Sequence, residues 1–318
     1  MDPQLFILLQ DFYSLKPTNK LNFPKGVSPT KINDFLLIDI LFDSHFQQYP
    51  PSQQYQKQFW KWAIENLEQM PVEDNDDDFE VDVSIYKHYF SLLPSSGLVI
   101  GLSHPETQNQ ICGRGIALHT AAPSNSYVTH FWRPYPMSDP EVVDALVDLK
   151  HYQRTTLLES RTTIESGTTG LRTWLASFVL AEYLIAHPNV LTTSSNVDIN
   201  YSTLDWSAAI DIERKKMLQV FLQQQVNADI ILGADVVFDP ALIPALIATL
   251  KMALSPKESN KQGLIALTMR NPSTLQQFIN QANEAFQVED IHTGSPQRLF
   301  SETLEGRTED VKLFLIRL

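Results

Sequence analysis

Residues 228–240 read ADIILGADVVFDP, and the reading of this stretch decides the fold. Ile230, Ile231 and Leu232 form a continuous apolar run, the pattern of a buried strand in a parallel sheet. Gly233 and Ala234 thin the backbone edge, and Asp235 stands where such a strand runs out. Asp239 and Pro240 have the form of an N-cap with proline at the first helical position. The helix they open, Ala241 to Leu254, is stopped by Ser255 and Pro256. In open α/β sheets ligands lie beyond the carboxyl ends of strands, which makes Asp235 a candidate site residue. Taken alone, the same aspartate reads more simply as the cap of a turn after a strand.

Downstream, GLIALTM (Gly263 to Met269) is a second continuous apolar strand, ending in Arg270-Asn271-Pro272. A helix from Ser273 to Phe286 follows, with Ser273 as its expected cap. Val288 to Ile291 and Val311 to Ile316 read as two last strands. Upstream, VDINYSTLDW (Val197 to Trp206) reads as a strand, and Ser207 to Gln224 as a helix. Leu171 to His187 has helical spacing after a turn at Gly167 to Gly170. Tyr127 to Trp132 and Arg154 to Ile164 read as paired strands, and Pro140 to Leu149 has helical spacing. Strands alternating with helices predict an α/β fold, with a mainly parallel sheet and a closing antiparallel hairpin.

Before residue 95 the periodicity is helical throughout. Leu5, Phe6, Leu8, Leu9, Phe12 and Tyr13 make one face. A second helix is expected from Lys31 to Phe46, and a third from Gln53 to Gln69, with Pro50-Pro51 between them. Phe59, Trp60 and Trp62 read as core. Ile85 to Leu93 reads as a short helix or strand. Residues 95–126 are rich in glycine, serine, proline, asparagine and threonine. The expected organisation is a helical N-terminal domain over 1–95, a linker over 96–126 and a second domain over 127–318.

The 318 residues carry a net charge of −13, which argues against binding a phosphate backbone. Part of that charge is a dense acidic run, EDNDDDFEVD at Glu73 to Asp82, read as a solvated loop. One cysteine, Cys112, excludes an internal disulfide and a cysteine-rich zinc site. No apolar run reaches the length of a membrane span, and the first residues lack the basic start of a secretory signal. A cytoplasmic location is expected, with no metal, no membrane and no direct nucleic-acid binding.

Four motifs are similar to those of one family: GTTGLRTW at Gly167 to Trp174, LDW at Leu204 to Trp206, GADVVFDP at Gly233 to Pro240, and TMRNP at Thr268 to Pro272. In this order they resemble the seven-β-strand methyltransferases that use S-adenosylmethionine, and most closely the lysine methyltransferase of translation elongation factor 2. The resemblance implies a Rossmann-like sheet preceded by a helical domain. It implies that Trp174, Trp206 and Ala234 contact the cofactor. It also implies that Asp235 and Phe238 hold the substrate lysine, the carboxylate by a charged hydrogen bond and the ring by cation–π attraction. The family's aromatic is usually tyrosine, so Phe238 keeps the face and lacks the hydroxyl. Without the family, Trp174 and Trp206 read as core, and Arg270-Asn271-Pro272 as ordinary turn chemistry.

One part of the family pattern is missing. Its glycine-rich turn and ribose-binding acid lie between the Trp174 helix and the LDW strand. Here that interval is HPNVLTTSSN, His187 to Asn196, with neither glycine nor an acidic residue. A βαβ unit needs about 30 residues or more. The first two strands of the family sheet are therefore expected to be absent, with a junction near Leu191-Thr192 of the kind a skipped exon leaves. Two functional expectations follow: a protein-lysine methyltransferase acting on elongation factor 2, impaired in cofactor binding, or a non-catalytic adaptor that binds a protein partner.

Overall fold

The computed structural model describes residues 1–70, 79–93, 125–133, 146–160, 164–165, 168–169, 171–191, 200–256, 260–291, 299–300 and 310–318. Cys112, most of the acidic run and nearly all of the expected linker lie outside the described residues. The chain divides into two units. The first comprises Met1–His130, Val142–Lys150 and Arg154–Arg172, and the second Phe131–Glu141, His151–Gln153 and Thr173–Leu318.

The first unit begins with helices α1 (Pro3–Tyr13), α2 (Pro29–Phe35), α3 (Ser44–Gln48), α4 (Gln53–Glu68) and α5 (Val83–Ser91). Asp2, Ser28, Ser52 and Asp82 cap α1, α2, α4 and α5 through their side chains, satisfying N–H groups that have no partner inside a helix. The expected helix from Lys31 to Phe46 is broken. α2 passes into a π-turn at Leu36–Leu41, and extended backbone at Asp43 separates it from α3. The aromatics of α1 and α4 form the core: the Phe12 and Phe59 rings lie 4.4 Å apart, and Trp60 is fully buried. Strand β1 (Ser126–Trp132) pairs with β2 (Gln153–Glu159), and β3 (Ile164–Glu165) pairs antiparallel with β4 (Thr168–Thr169).

The second unit contains α6 (Leu175–Ala186), α7 (Lys215–Val220), β5 (Ile230–Ala234), α8 (Ile243–Ala253), β6 (Gln262–Thr268), α9 (Pro272–Ala285), β7 (Gln287–Ile291) and β8 (Val311–Arg317). The sheet order is β5-β6-β8-β7. β5 runs parallel to β6, with Leu232 opposite Leu264. β8 is antiparallel to both β6 and β7. β5, β6 and β7 thus run in one direction, and β8, inserted between β6 and β7, is the reversed strand of the closing antiparallel hairpin. Helices cover both faces: α8 and α9 pack on Ile265, Leu267, Phe314 and Ile316, and α6 packs on Leu264, Ala266 and Leu313.

Three expectations are corrected here. β5 is an edge strand and only half-buried, with Leu232 47% exposed. Tyr201 to Asp205 form no strand; Trp206–Ala209 is a short 3-10 turn capped by Asp205. A strand needs a ladder for its N–H and C=O groups, and among the described residues no partner lies beside this segment. The cap of α9 is Asn271, not Ser273: its side chain accepts from the Ser273 and Thr274 N–H groups, and Pro272 takes the first helical position.

Candidate functional site

β5 ends at Ala234, opposite Ala266, and β6 runs on to Thr268, so the residue after β5 lies beside the last residues of β6. Asp235, the residue after β5, has a left-handed backbone with φ of 52°. Aspartate tolerates this region better than most residues. The turn aims its side chain at the end of β6. Its N–H still donates to the Ala266 carbonyl at 2.9 Å. One carboxylate oxygen accepts from the Thr268 N–H at 2.8 Å. The other accepts from the Thr268 hydroxyl at 3.0 Å and from the Arg270 guanidinium at 2.8 Å. The Asp235 side chain is 10% exposed and that of Arg270 46%.

The same guanidinium lies over the indole of Trp174, with 4.3 Å from its central carbon to the ring centroid. Trp174 sits at the cap position of α6, which presents its ring at the carboxyl end of the sheet. A cation between a carboxylate and an indole face is doubly favoured, by charge and by the ring quadrupole. Arg270 therefore links two of the residues singled out from sequence. Neither Thr268 nor Arg270 was singled out for a site. The usable signal was register: two adjacent parallel strands ending in Ala-Asp and Thr-Met-Arg place these polar groups side by side.

The remaining candidates lie elsewhere. Ala234 packs on the α6 face of the sheet. Trp206 packs with the α8 and α9 cluster and lines an apolar cavity of about 390 Å³ beside β5, with Leu204, Leu222, Ile231, Val236 and Leu250. Asp235 does not line that cavity. Phe238 is 55% exposed.

These residues do not fit S-adenosylmethionine. Ala234 and Trp206 pack on opposite faces of the sheet. No strand borders the free side of β5 among the described residues. The Asp235 carboxylate is already engaged by Thr268 and Arg270.

A second polar cluster lies in the first unit. Asp43 accepts from the Tyr13 hydroxyl at 3.4 Å and from Arg154 at 3.3 Å, and His45 Nε2 bonds the hydroxyls of Thr129 and Thr156 at 2.9 and 3.2 Å. Burial pushes the Tyr13 phenol up, with the Asp43 charge adding to it. Burial lowers the His45 imidazole, and Arg154 adds to that. Both shifts favour the neutral forms, which suits a structural network. Among the described residues no group of three or more histidine, cysteine, aspartate or glutamate side chains could hold a metal ion, and no helix is long and apolar enough to cross a membrane.

Residues 179–285, from α6 through α9, match a family model described as lysine methyltransferase. Through this segment, about a third of the chain, it is similar to the lysine methyltransferases. Within that class it is similar to the human protein-lysine N-methyltransferase EEF2KMT, with 27% identity over 195 positions covering 46% of this chain and 59% of the human protein. The chain thus spans less than two thirds of that relative's length. The 46% share of 318 residues is about 146, so roughly 49 of the 195 aligned positions have no residue of this chain opposite them.

Proposed function

We propose that this chain descends from a protein-lysine methyltransferase that used S-adenosylmethionine to methylate elongation factor 2, and that it has lost the half of the sheet that held the cofactor. In this reading β5, β6, β8 and β7 are the later half of a seven-strand Rossmann-like sheet. The missing first strand would have paired with the free side of β5. The helices of residues 1–95 form the N-terminal domain, residues 96–126 a linker, and residues 127–318 the methyltransferase-like domain, in a cytoplasmic protein.

One observation carries the reading. A strand with the sequence of an interior strand, IILGA, stands at the edge of the sheet. The deficit of about 49 aligned positions is large enough for a βαβ unit, which takes about 30 residues or more. The interval HPNVLTTSSN supplies neither a glycine turn nor a carboxylate for the ribose. Asp235, the residue the family would use for the substrate ammonium, already has a cation. That last point favours the second reading, a non-catalytic adaptor whose partner is elongation factor 2 or another protein.

Titration calorimetry with S-adenosylmethionine tests the proposal. The full chain is expected to give no binding heat at micromolar concentrations. A dissociation constant in that range would sink it and return the chain to the active enzymes.

A further inference from the structure

We infer that Asp235 and Trp174 form a binding site for a cationic side chain, and that Arg270 of the same chain fills it. Three observations place the site. The Asp235 carboxylate is nine-tenths buried, and its Arg270 contact is 2.8 Å. The indole of Trp174 lies 4.3 Å from the same guanidinium. Thr268 holds the carboxylate through its N–H and its hydroxyl, so the anion stays aimed when the cation leaves. A guanidinium or alkylammonium group is the ligand chemistry that a fixed carboxylate and an indole face select together.

The aromatic wall of this site is Trp174, whereas Phe238 is 55% exposed. A substrate lysine that sought Asp235 would have to displace Arg270. The intramolecular cation has a large advantage, because its effective concentration is set by the chain and not by the solution. The side chain of Arg270 is 46% exposed, so it can swing out without unpacking the core. The site is thus a plugged one. The view that a substrate lysine would come here rests on the methyltransferase reading; the plug itself does not.

The test is chemical rescue of Arg270→Ala in the full chain, followed by melting temperature. Ethylguanidinium or butylammonium, at about ten times its dissociation constant, is expected to raise the melting temperature of the variant by about 3 °C. Neither should raise that of the unsubstituted chain. Uncharged ethylurea is expected to have no such effect, and Asp235→Asn added to Arg270→Ala should abolish the rise. Trp174→Leu in the same background should weaken it. If Arg270→Ala does not fold, Arg270→Gln keeps the length of the side chain, removes its charge and takes the same measurements. Equal shifts with ethylurea and the cations, or an undiminished rise in the Asp235→Asn double variant, would overturn the inference. No cofactor takes part in this readout, so the calorimetric result for S-adenosylmethionine leaves it unmoved, and each proposal can fail alone.

Discussion

The two outer strands of the sheet are unlike each other. β7 reads QVEDI, and Gln287, Glu289 and Asp290 are exposed along it. Charges of this kind keep an edge from pairing with other chains. β5 reads IILGA and has none. Its Leu232 is 47% exposed, while Leu264, directly opposite on β6, is 1% exposed. β7 has the composition of a strand that ends a sheet, and β5 that of a strand enclosed on both sides. The difference teaches that the two edges are not equivalent: one carries the charges of a boundary, while the other carries none, as the proposed loss of a neighbouring strand would leave it.

The largest effect that can break this comparison comes from the register pair. Leu264→Ala removes a fully buried side chain and is expected to cost about 3 kcal/mol in urea unfolding. Leu232→Ala, one strand over at the same level, should cost under about 1 kcal/mol. Equal costs would mean that β5 is enclosed after all.

The glycines sharpen the same contrast at smaller scale. A methyl group on Gly263 would meet Ile316 side-chain atoms at 2.7 and 2.9 Å, and one on Gly233 would meet the tip of Ile265 at 2.9 Å. Overpacking in the middle of the sheet should make Gly263→Ala cost about 2 kcal/mol. Gly233→Ala at the open edge should cost about 1 kcal/mol, since Ile265 can turn toward the exposed side. The ordering, read from denaturation midpoints, is the measurement. The smallest expected change in stability is that of Leu232→Lys, within about 0.5 kcal/mol. Its effect should appear in sedimentation instead, as reduced self-association, because a lysine blunts a bare edge. Val288→Lys on β7 should leave association unchanged.

Much of the second unit was legible because local chemistry marks it. Asp239-Pro240 opens the α8 segment as read, with the Asp239 side chain accepting from the Ala241 N–H. Apolar runs locate β5 and β6, and the final hairpin pairs as β7 and β8. In the first unit the Gln53 helix extends to Glu68, one residue short of the expected end. The Lys31 helix was misread because its apolar spacing continues through a π-turn and past Asp43, and periodicity alone cannot see either interruption. The LDW strand was misread for another reason. Its residues favour a strand, but a strand exists only with a partner.

What the sequence determined by itself is local: which segments bury a face, where helices start, and that the interval His187 to Asn196 holds neither glycine nor an acidic residue. These follow from spacing and side-chain chemistry along the chain. Tertiary structure alone decided the rest. It left β5 at an edge, placed Trp206 and Ala234 on opposite faces, and laid Arg270 between Asp235 and Trp174. The physical reason is that backbone pairing and charge pairing join residues far apart in the chain. Which groups meet depends on which strands are present to hold them.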